Sequence, residues 1–412
     1  MDFLATPTRR RLLFSALYLS EGAPIGFIWL ALPTWLRLAD VSVEKITTLT
    51  ALLVVPWTFK FAWAPLIDVL QNRWWTVRHW IVSAQLVMGG ALLPLLWLDL
   101  QQDFAIILPL LLTHAFAAAT QDVAIDALCI ATTDPLERGR LNGWMQAGML
   151  LGRAAFGGGA LLLSTRIGTS AVVTLLLAVT TGSLVMVLGS RPPATMTKRK
   201  LTEQGRHVFG ELRQSLRERR TWLGLAFAFI GGAAFKSLEV VIGPFLVDRG
   251  YTEDEIGLFT AGPMIGLMIC GSLAGGWVAD RMQRRNFVAA ALLSFVVPIC
   301  GLALSDLWLD GQRGPHLLVG LALTAFGIGV FTAASYAMFM DLTRPAIAAT
   351  QFSAFMGATN GCESWSSFAI GRLIASNGYA TAFLVMSAAS LTALPLLKLM
   401  NQNSSVDDRS DI

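Results

Sequence analysis

The fold this sequence predicts is an all-α integral membrane protein of twelve transmembrane helices in two pseudo-symmetric halves of six. Three observations predict it. The 412 residues are 54% hydrophobic and 14% charged, whereas soluble domains carry about 25% charged residues. Twelve apolar stretches approach the roughly 20 residues that cross a bilayer. Short polar motifs in the first half recur in the second at a spacing of 210 or 212 residues.

In chain order the stretches are 12–36, 46–69, 80–98, 104–130, 141–163, 170–190, 222–247, 256–279, 287–305, 316–340, 350–374 and 379–399. Glycine and proline recur inside them, as membrane helices tolerate. The arginines Arg9, Arg10 and Arg11 before the first stretch resemble the start of a signal peptide. The stretch continues without a small-residue cleavage site, so an uncleaved first span is expected. A basic segment, 191–221, divides the chain into an N-terminal half (1–190) and a C-terminal half (222–400), with a polar tail at 401–412. The segment is expected to be a cytoplasmic tether touching lipid rather than a nucleic-acid site.

Lys and Arg distribution sets orientation. With the N-terminus inside, the inner segments hold Arg9–Arg11, Arg73, Arg78, Arg138, Arg140, the basic segment, Arg281, Arg284, Arg285, Arg344, Lys398 and Arg409. The outer segments hold only Arg37, Lys45, Arg166, Arg249, Arg313 and Arg372. Both termini are therefore expected in the cytoplasm. Cys129, Cys270, Cys300 and Cys362 lie scattered in apolar stretches and suggest neither a metal site nor a disulfide.

The repeat shows best at two helix ends. Ala64-Pro-Leu-Ile-Asp68 and Gly276-Trp-Val-Ala-Asp280 share one spacing, and Asp134-Pro135 is matched by Arg344-Pro345. Two parallel six-helix halves are what alternating access around a midplane site uses.

Gly276-x-x-x-Asp280-Arg281-x-x-Arg284-Arg285 resembles the signature loop of the major facilitator superfamily, although Ala64 replaces the glycine in the first copy. Further stretches resemble its AmpG-like branch, which includes muropeptide permeases, acetyl-CoA transporters and siderophore permeases. They are Glu21-Gly-x-Pro24, Lys60-Phe-x-Trp63-x-Pro65-Leu-x-Asp68, Gln121-Asp122-x-x-x-Asp126-Ala127, Glu137-Arg138-Gly139 and Ala349-Thr350-Gln351-Phe352. A weaker one is Lys236-x-x-Glu239. Many muropeptide permeases of the branch look longer than this chain, which favours a siderophore-type member.

The resemblance implies that helices one, four, seven and ten line a cavity. Asp122 and Asp126 lie one helical turn apart, and ionised carboxylates inside a membrane line cavities or meet partners. They read as a coupled proton site, together with Glu21 and Glu239; the alternative is that the aspartates anchor a helix end. Lys236, Lys60, Arg153, His114, Gln121 and Glu363 are candidates for substrate contact. Lys236 is expected to be stored in a pair with Glu239, three residues on. The alternative for Lys60, Arg153 and Glu363 is mutual neutralisation, and for His114 a satisfied core position. Asp68, Asp280, Arg281, Glu137 and Arg138 are expected to form a cytoplasmic gate, with Glu137-Arg138-Gly139 the partner of Asp68.

The chain is therefore expected to be a monomeric inner-membrane secondary transporter without metal or cofactor. It would import a bulky polar metabolite such as a siderophore with protons, and a muropeptide is the alternative substrate. A drug exporter is disfavoured because Arg153 follows Gly152 where such exporters place proline. An integral-membrane prenyltransferase-like enzyme is disfavoured because Tyr336 stands where Asp126 should repeat. A non-transporting sensor is the third alternative.

Overall fold

The structure is a computed structural model that describes residues 2–32, 52–53, 55–71, 75–98, 102–190, 201–309 and 311–402. Arg37, Lys45, Arg73, Trp74, the first ten residues of the basic segment and Arg409 lie outside the described residues.

The regular elements among the described residues are helices. Helix α1 (Pro7–Gly26) begins where the Thr6 side chain accepts from the Arg9 amide. Pro24 inside it removes one donor from the ladder, and a π turn follows at Phe27–Ala31. Next come α2 (Ala64–Val69), α3 (Val77–Leu92) and α4 (Phe104–Thr132). They are followed by α5 (Arg138–Phe156), α6 (Gly158–Ile167) and α7 (Thr169–Leu188). Helix α8 (Leu201–Arg217) lies in the basic segment.

The later helices are α9 (Arg219–Ile230), α10 (Ala233–Asp248), α11 (Glu253–Phe259) and α12 (Ile265–Ala279). After them come α13 (Arg284–Trp308), α14 (Pro315–Leu342), α15 (Ala348–Leu391) and α16 (Leu394–Gln402).

Eight described segments are long and apolar enough to cross a membrane. The last, Pro345–Met400, has 56 residues. At about 1.5 Å per residue that is length for two crossings, and Gly378, with φ +79, breaks it. The expected first, second and fifth spans are not in this set. The first two run into residues outside the described ones. The fifth, α5 with α6, carries Arg138, Arg140, Asn142, Gln146, Arg153 and six glycines, so it is too polar by composition.

Two compact units emerge. The first takes Met1–Asp134, Trp144–Glu211 and Arg344–Ser353; the second takes Pro135–Gly143, Leu212–Thr343 and Ala354–Ile412. Each thus includes a short segment from the opposite half of the sequence. In the first unit, α1 and α5 meet backbone to backbone. A Cβ on Gly22 would strike the Met149 main chain, and one on Gly152 would strike Leu19 and Ala23. Small residues allow such approach where no hydrophobic drive separates helix from lipid.

In the second unit, α12 packs against α14, and Phe227, Phe235, Phe295 and Phe331 form a ring-to-ring core with centroids 5.1–6.1 Å apart. Arg249, just past α10, grips Asp306 with two hydrogen bonds of 2.6 Å and lies over the rings of Phe245 and Tyr379.

Candidate functional site

The first unit buries a polar cluster among otherwise apolar helices. Tyr18 and Glu21 come from α1, one turn apart; Lys60 comes from the 3-10 turn before α2; Asp122 and Asp126 come from α4. Four of the five side chains belong to residues no more than 4% exposed, and Asp122 is 6% exposed. The Lys60 ammonium is paired with the Asp122 carboxylate. The Tyr18 hydroxyl donates to Asp126 at 2.6 Å. Asp122 lies near enough to act electrostatically on both Glu21 and Asp126, while Glu21 Oε2 is buried with no hydrogen-bond partner among the described residues. Beside them Trp63 donates to Thr120 at 3.2 Å.

Among the described residues, three carboxylates therefore share one ammonium in a buried site. Full ionisation would leave two negative charges uncompensated, which a low-dielectric interior penalises heavily. The arrangement can hold one or more protons and can pass Lys60 between acids. Lys60, expected as a substrate contact, is placed beside these acids and paired with Asp122. Asp122 is not simply one of two repelling acids, because a cation neutralises it.

The two matched aspartates are helix caps. Asp68 accepts from the amides of Ala349 (3.1 Å) and Thr350 (2.9 Å) and from the Thr350 hydroxyl (2.6 Å). Asp280 accepts from the amides of Gly139 (2.7 Å) and Arg140 (2.8 Å) and from Arg284 (3.2 Å). Both receive first-turn amides, which have no partner within their own helix and carry the positive end of its dipole. A Cβ at Gly276 would strike the Gly139 carbonyl, so glycine is what lets α12 reach this cap.

The expected partner of Asp68 is corrected here. Its bonds come from Ala349 and Thr350, not from Glu137, Arg138 or Gly139. Arg138 instead donates to the Met340 carbonyl (3.0 Å) and Asp341 (3.1 Å), and Glu137 closes the 3-10 turn Pro135–Glu137. Arg281 stacks over Trp277 at 3.6 Å and donates to its carbonyl. The arginine side chain that donates to Asp280 is that of Arg284, four residues after it, a spacing the sequence displays.

Burial raises the Asp280 carboxyl above its ordinary value of 3.8, against the opposing pull of Arg140, Arg284 and Gly139.

In the second unit Lys236 pairs with Glu363 of α15 at 2.6 Å, not with Glu239 as expected. Glu239 and Tyr336 lie near enough to act on Lys236 electrostatically. The geometry that decides this was hidden, because Lys236 and Glu363 are 127 residues apart.

Other candidates are not gathered to either place. Arg153 is exposed on α5. His114 is buried, with Nδ1 against the Met88 carbonyl at 3.2 Å and Nε2 without a partner. Gln121 is buried with neither amide atom hydrogen-bonded. Tyr18 is the residue the sequence reading missed; its position three before Glu21 was the available signal. Among the described residues no group of three potential metal ligands gathers.

The sequence profile of the Major Facilitator Superfamily matches residues 14–311 and 240–409. The chain belongs to this superfamily. Within it the chain is AmpG-like. It is 25% identical over 395 residues to the anhydromuropeptide permease of Escherichia coli (strain K12), covering 93% of this chain and 78% of that protein. It is 23% identical over 405 residues to putative transporter AmpG 4 of Rickettsia felis, covering 94% and 95% of the two.

Among solved structures it superposes on the superfamily transporter FucP in the outward conformation with a TM-score of 0.75 at 12% identity, covering 97% of this chain and 100% of that one. That likeness shows the fold alone. Together these place this superfamily chain, a multi-pass membrane protein, among transporters rather than enzymes. They also remove the force of the length argument for a siderophore carrier, because a relative of matching length bears the AmpG name.

Proposed function

We propose that this AmpG-like chain is a proton-coupled permease of the cytoplasmic membrane that imports muropeptides, sugar–peptide fragments of the cell wall. The substrate class is supported by the likeness to the anhydromuropeptide permease, and the siderophore reading has no support from the relatives found. The observation that carries proton coupling is the cluster of Glu21, Asp122 and Asp126 around Lys60, its one cation among the described residues. Buried acids inside a membrane are retained where a proton or ion passes.

In this reading a proton enters at Glu21, whose free oxygen can accept it, and relieves the competition for Lys60. Tyr18 holds Asp126 in place during the exchange. Asp68 and Asp280, by capping helix starts at Ala349–Thr350 and Gly139–Arg140, close the cytoplasmic side. Both termini are cytoplasmic, with the basic segment along the inner lipid surface.

The test uses purified protein in proteoliposomes with an imposed pH gradient. An anhydromuropeptide should accumulate in the parent, and a ferric siderophore should not. Asp122→Asn and Glu21→Gln should each lower gradient-driven accumulation at least tenfold while leaving exchange of internal for external substrate. Accumulation at the parent level in both variants would remove the proton role. Transport of the siderophore alone would overturn the substrate.

A further inference from the structure

The proton cluster lies in the first unit, and the second carries a charged pair of its own that is partly exposed. The Lys236 side chain is 22% exposed and that of Glu363 is 51% exposed. Both lie within apolar membrane-spanning segments, Arg219–Asp248 and Pro345–Met400. A carboxylate facing hydrocarbon there would be costly, so the exposed face of this pair opens on water. A pair with one partner half exposed is weaker than a fully enclosed one. It can be opened by a competing anion.

Aromatic surface borders the pair on the same two helical stretches. Phe229 ends α9 and is 46% exposed. Trp365, two residues past Glu363, lies 6.3 Å from it centroid to centroid and donates its indole N–H to the Phe229 carbonyl at 2.9 Å. That bond fixes the indole plane and spends its only donor, so what Trp365 offers a ligand is a flat apolar face. Gly361 keeps the seam narrow, since a Cβ there would press on the Phe229 ring. Between α9 and α10 the helix is interrupted at Gly231–Gly232, and Lys236 also lies 5.6 Å from the Phe235 ring.

We propose that Lys236, Glu363, Trp365 and Phe229 form a binding subsite for a carboxylate attached to a sugar, whether on an acidic arm of the ring or, in a muropeptide, on the peptide that is amide-linked to that arm. The substrate carboxylate displaces Glu363 from Lys236, and the C–H face of the pyranose lies on the Trp365–Phe229 surface. Glu363 is then the internal competitor that keeps the lysine paired when the subsite is empty. The proposal deepens the muropeptide reading and rests on it for the substrate as a whole, but its chemistry needs only an acidic sugar.

The experiment is equilibrium binding to purified full-length protein, using an anhydromuropeptide, N-acetylmuramic acid and neutral N-acetylglucosamine. The parent should bind N-acetylmuramic acid at least tenfold more tightly than N-acetylglucosamine. Lys236→Gln should abolish that preference, and Lys236→Arg should retain part of it. Glu363→Gln should tighten the acid several-fold by removing the competitor. Trp365→Leu should weaken both sugars alike.

The double variant Lys236→Gln/Glu363→Gln, which buries no lone charge, guards against misfolding and should also lack the preference. If the anhydromuropeptide binds but Lys236→Gln and the double variant bind it as the parent does, the subsite falls and the muropeptide reading stands. If N-acetylmuramic acid binds through Lys236 but the anhydromuropeptide does not, the subsite stands and the muropeptide reading falls. Binding of none of the three overturns both.

Discussion

Asp68 in the first unit and Asp280 in the second each receive two first-turn amides of a helix, but what surrounds the two carboxylates differs. Around Asp68 the additional donor is neutral, the Thr350 hydroxyl. Around Asp280 it is Arg284, with Arg140 Nε a further 4.0 Å away. Arg284 also donates to Asp341 (3.0 Å) and to the carbonyls of Ala279 (2.7 Å) and Pro135 (2.8 Å), and Arg138 shares Asp341. One copy of the repeat therefore seals with short-range hydrogen bonds, and the other with a charged network. The first should be indifferent to salt. The second should be loosened by it, because screening acts on charges and hardly on neutral donors.

The largest effect expected from breaking this comparison is at the shared feature. Asp68→Ala leaves two amides and a hydroxyl unsatisfied in a buried place, at about 1–3 kcal/mol for each group stranded. A loss of about 2–5 kcal/mol is expected in reversible unfolding of detergent-solubilised protein, and Asp280→Ala should fall in the same range. A loss below about 0.5 kcal/mol at either would show that the cap is not a stabilising element.

Next in size is Arg284→Met, which removes the hub of the charged copy and should cost about 1–3 kcal/mol. Raising salt should diminish that cost, and an effect independent of ionic strength would contradict the charged character assigned to this copy. Thr350→Val is the matching change in the neutral copy. It removes one hydrogen bond to a charged acceptor, about 1.5 kcal/mol, and salt should leave that cost unchanged.

The smallest effect concerns pH. Burial holds Asp280 above its ordinary value of 3.8. An acid raised on folding contributes stability below its unfolded value and loses it as pH climbs through the folded one. Asp280→Asn should therefore narrow its stability deficit against the parent as pH rises from about 4 to about 7. A deficit that widens over that window would reverse the sign of the shift.

Which parts were legible in the sequence follows from the range of the interactions involved. Membrane helices announce themselves because each must be apolar over its own length, and the spans from 80 onward, except the fifth, could be read that way. The fifth span is polar because glycines and arginines serve packing and capping there, so hydropathy alone undervalues it. Asp68 and Asp280 were visible as a pair because a repeat keeps its spacing. The helix starts they cap were not visible, because each lies in the opposite half of the sequence.

The same limit explains Lys236. Glu239 is the nearest acid along the helix, but Glu363 is the one that tertiary packing delivers. Lys60, Asp122, Asp126 and Glu21 were each picked out as intramembrane charges. That they form one cluster with Tyr18 required the fold.

The two caps also differ in when they can form. Gly139 and Arg140 are already synthesised when Asp280 leaves the ribosome, so that aspartate finds its helix start waiting. Asp68 must wait for Thr350, 282 residues later. At translation rates of about 5–20 residues per second, the delay is roughly 15–60 s. During that interval a nascent first unit carries an unclaimed acid at a helix end and lacks the segment Arg344–Ser353. A truncated product that stops before this segment can never complete the cap. Membrane quality control would meet such chains with that end of α2 unsealed, so the last-made part of the protein finishes its first-made part.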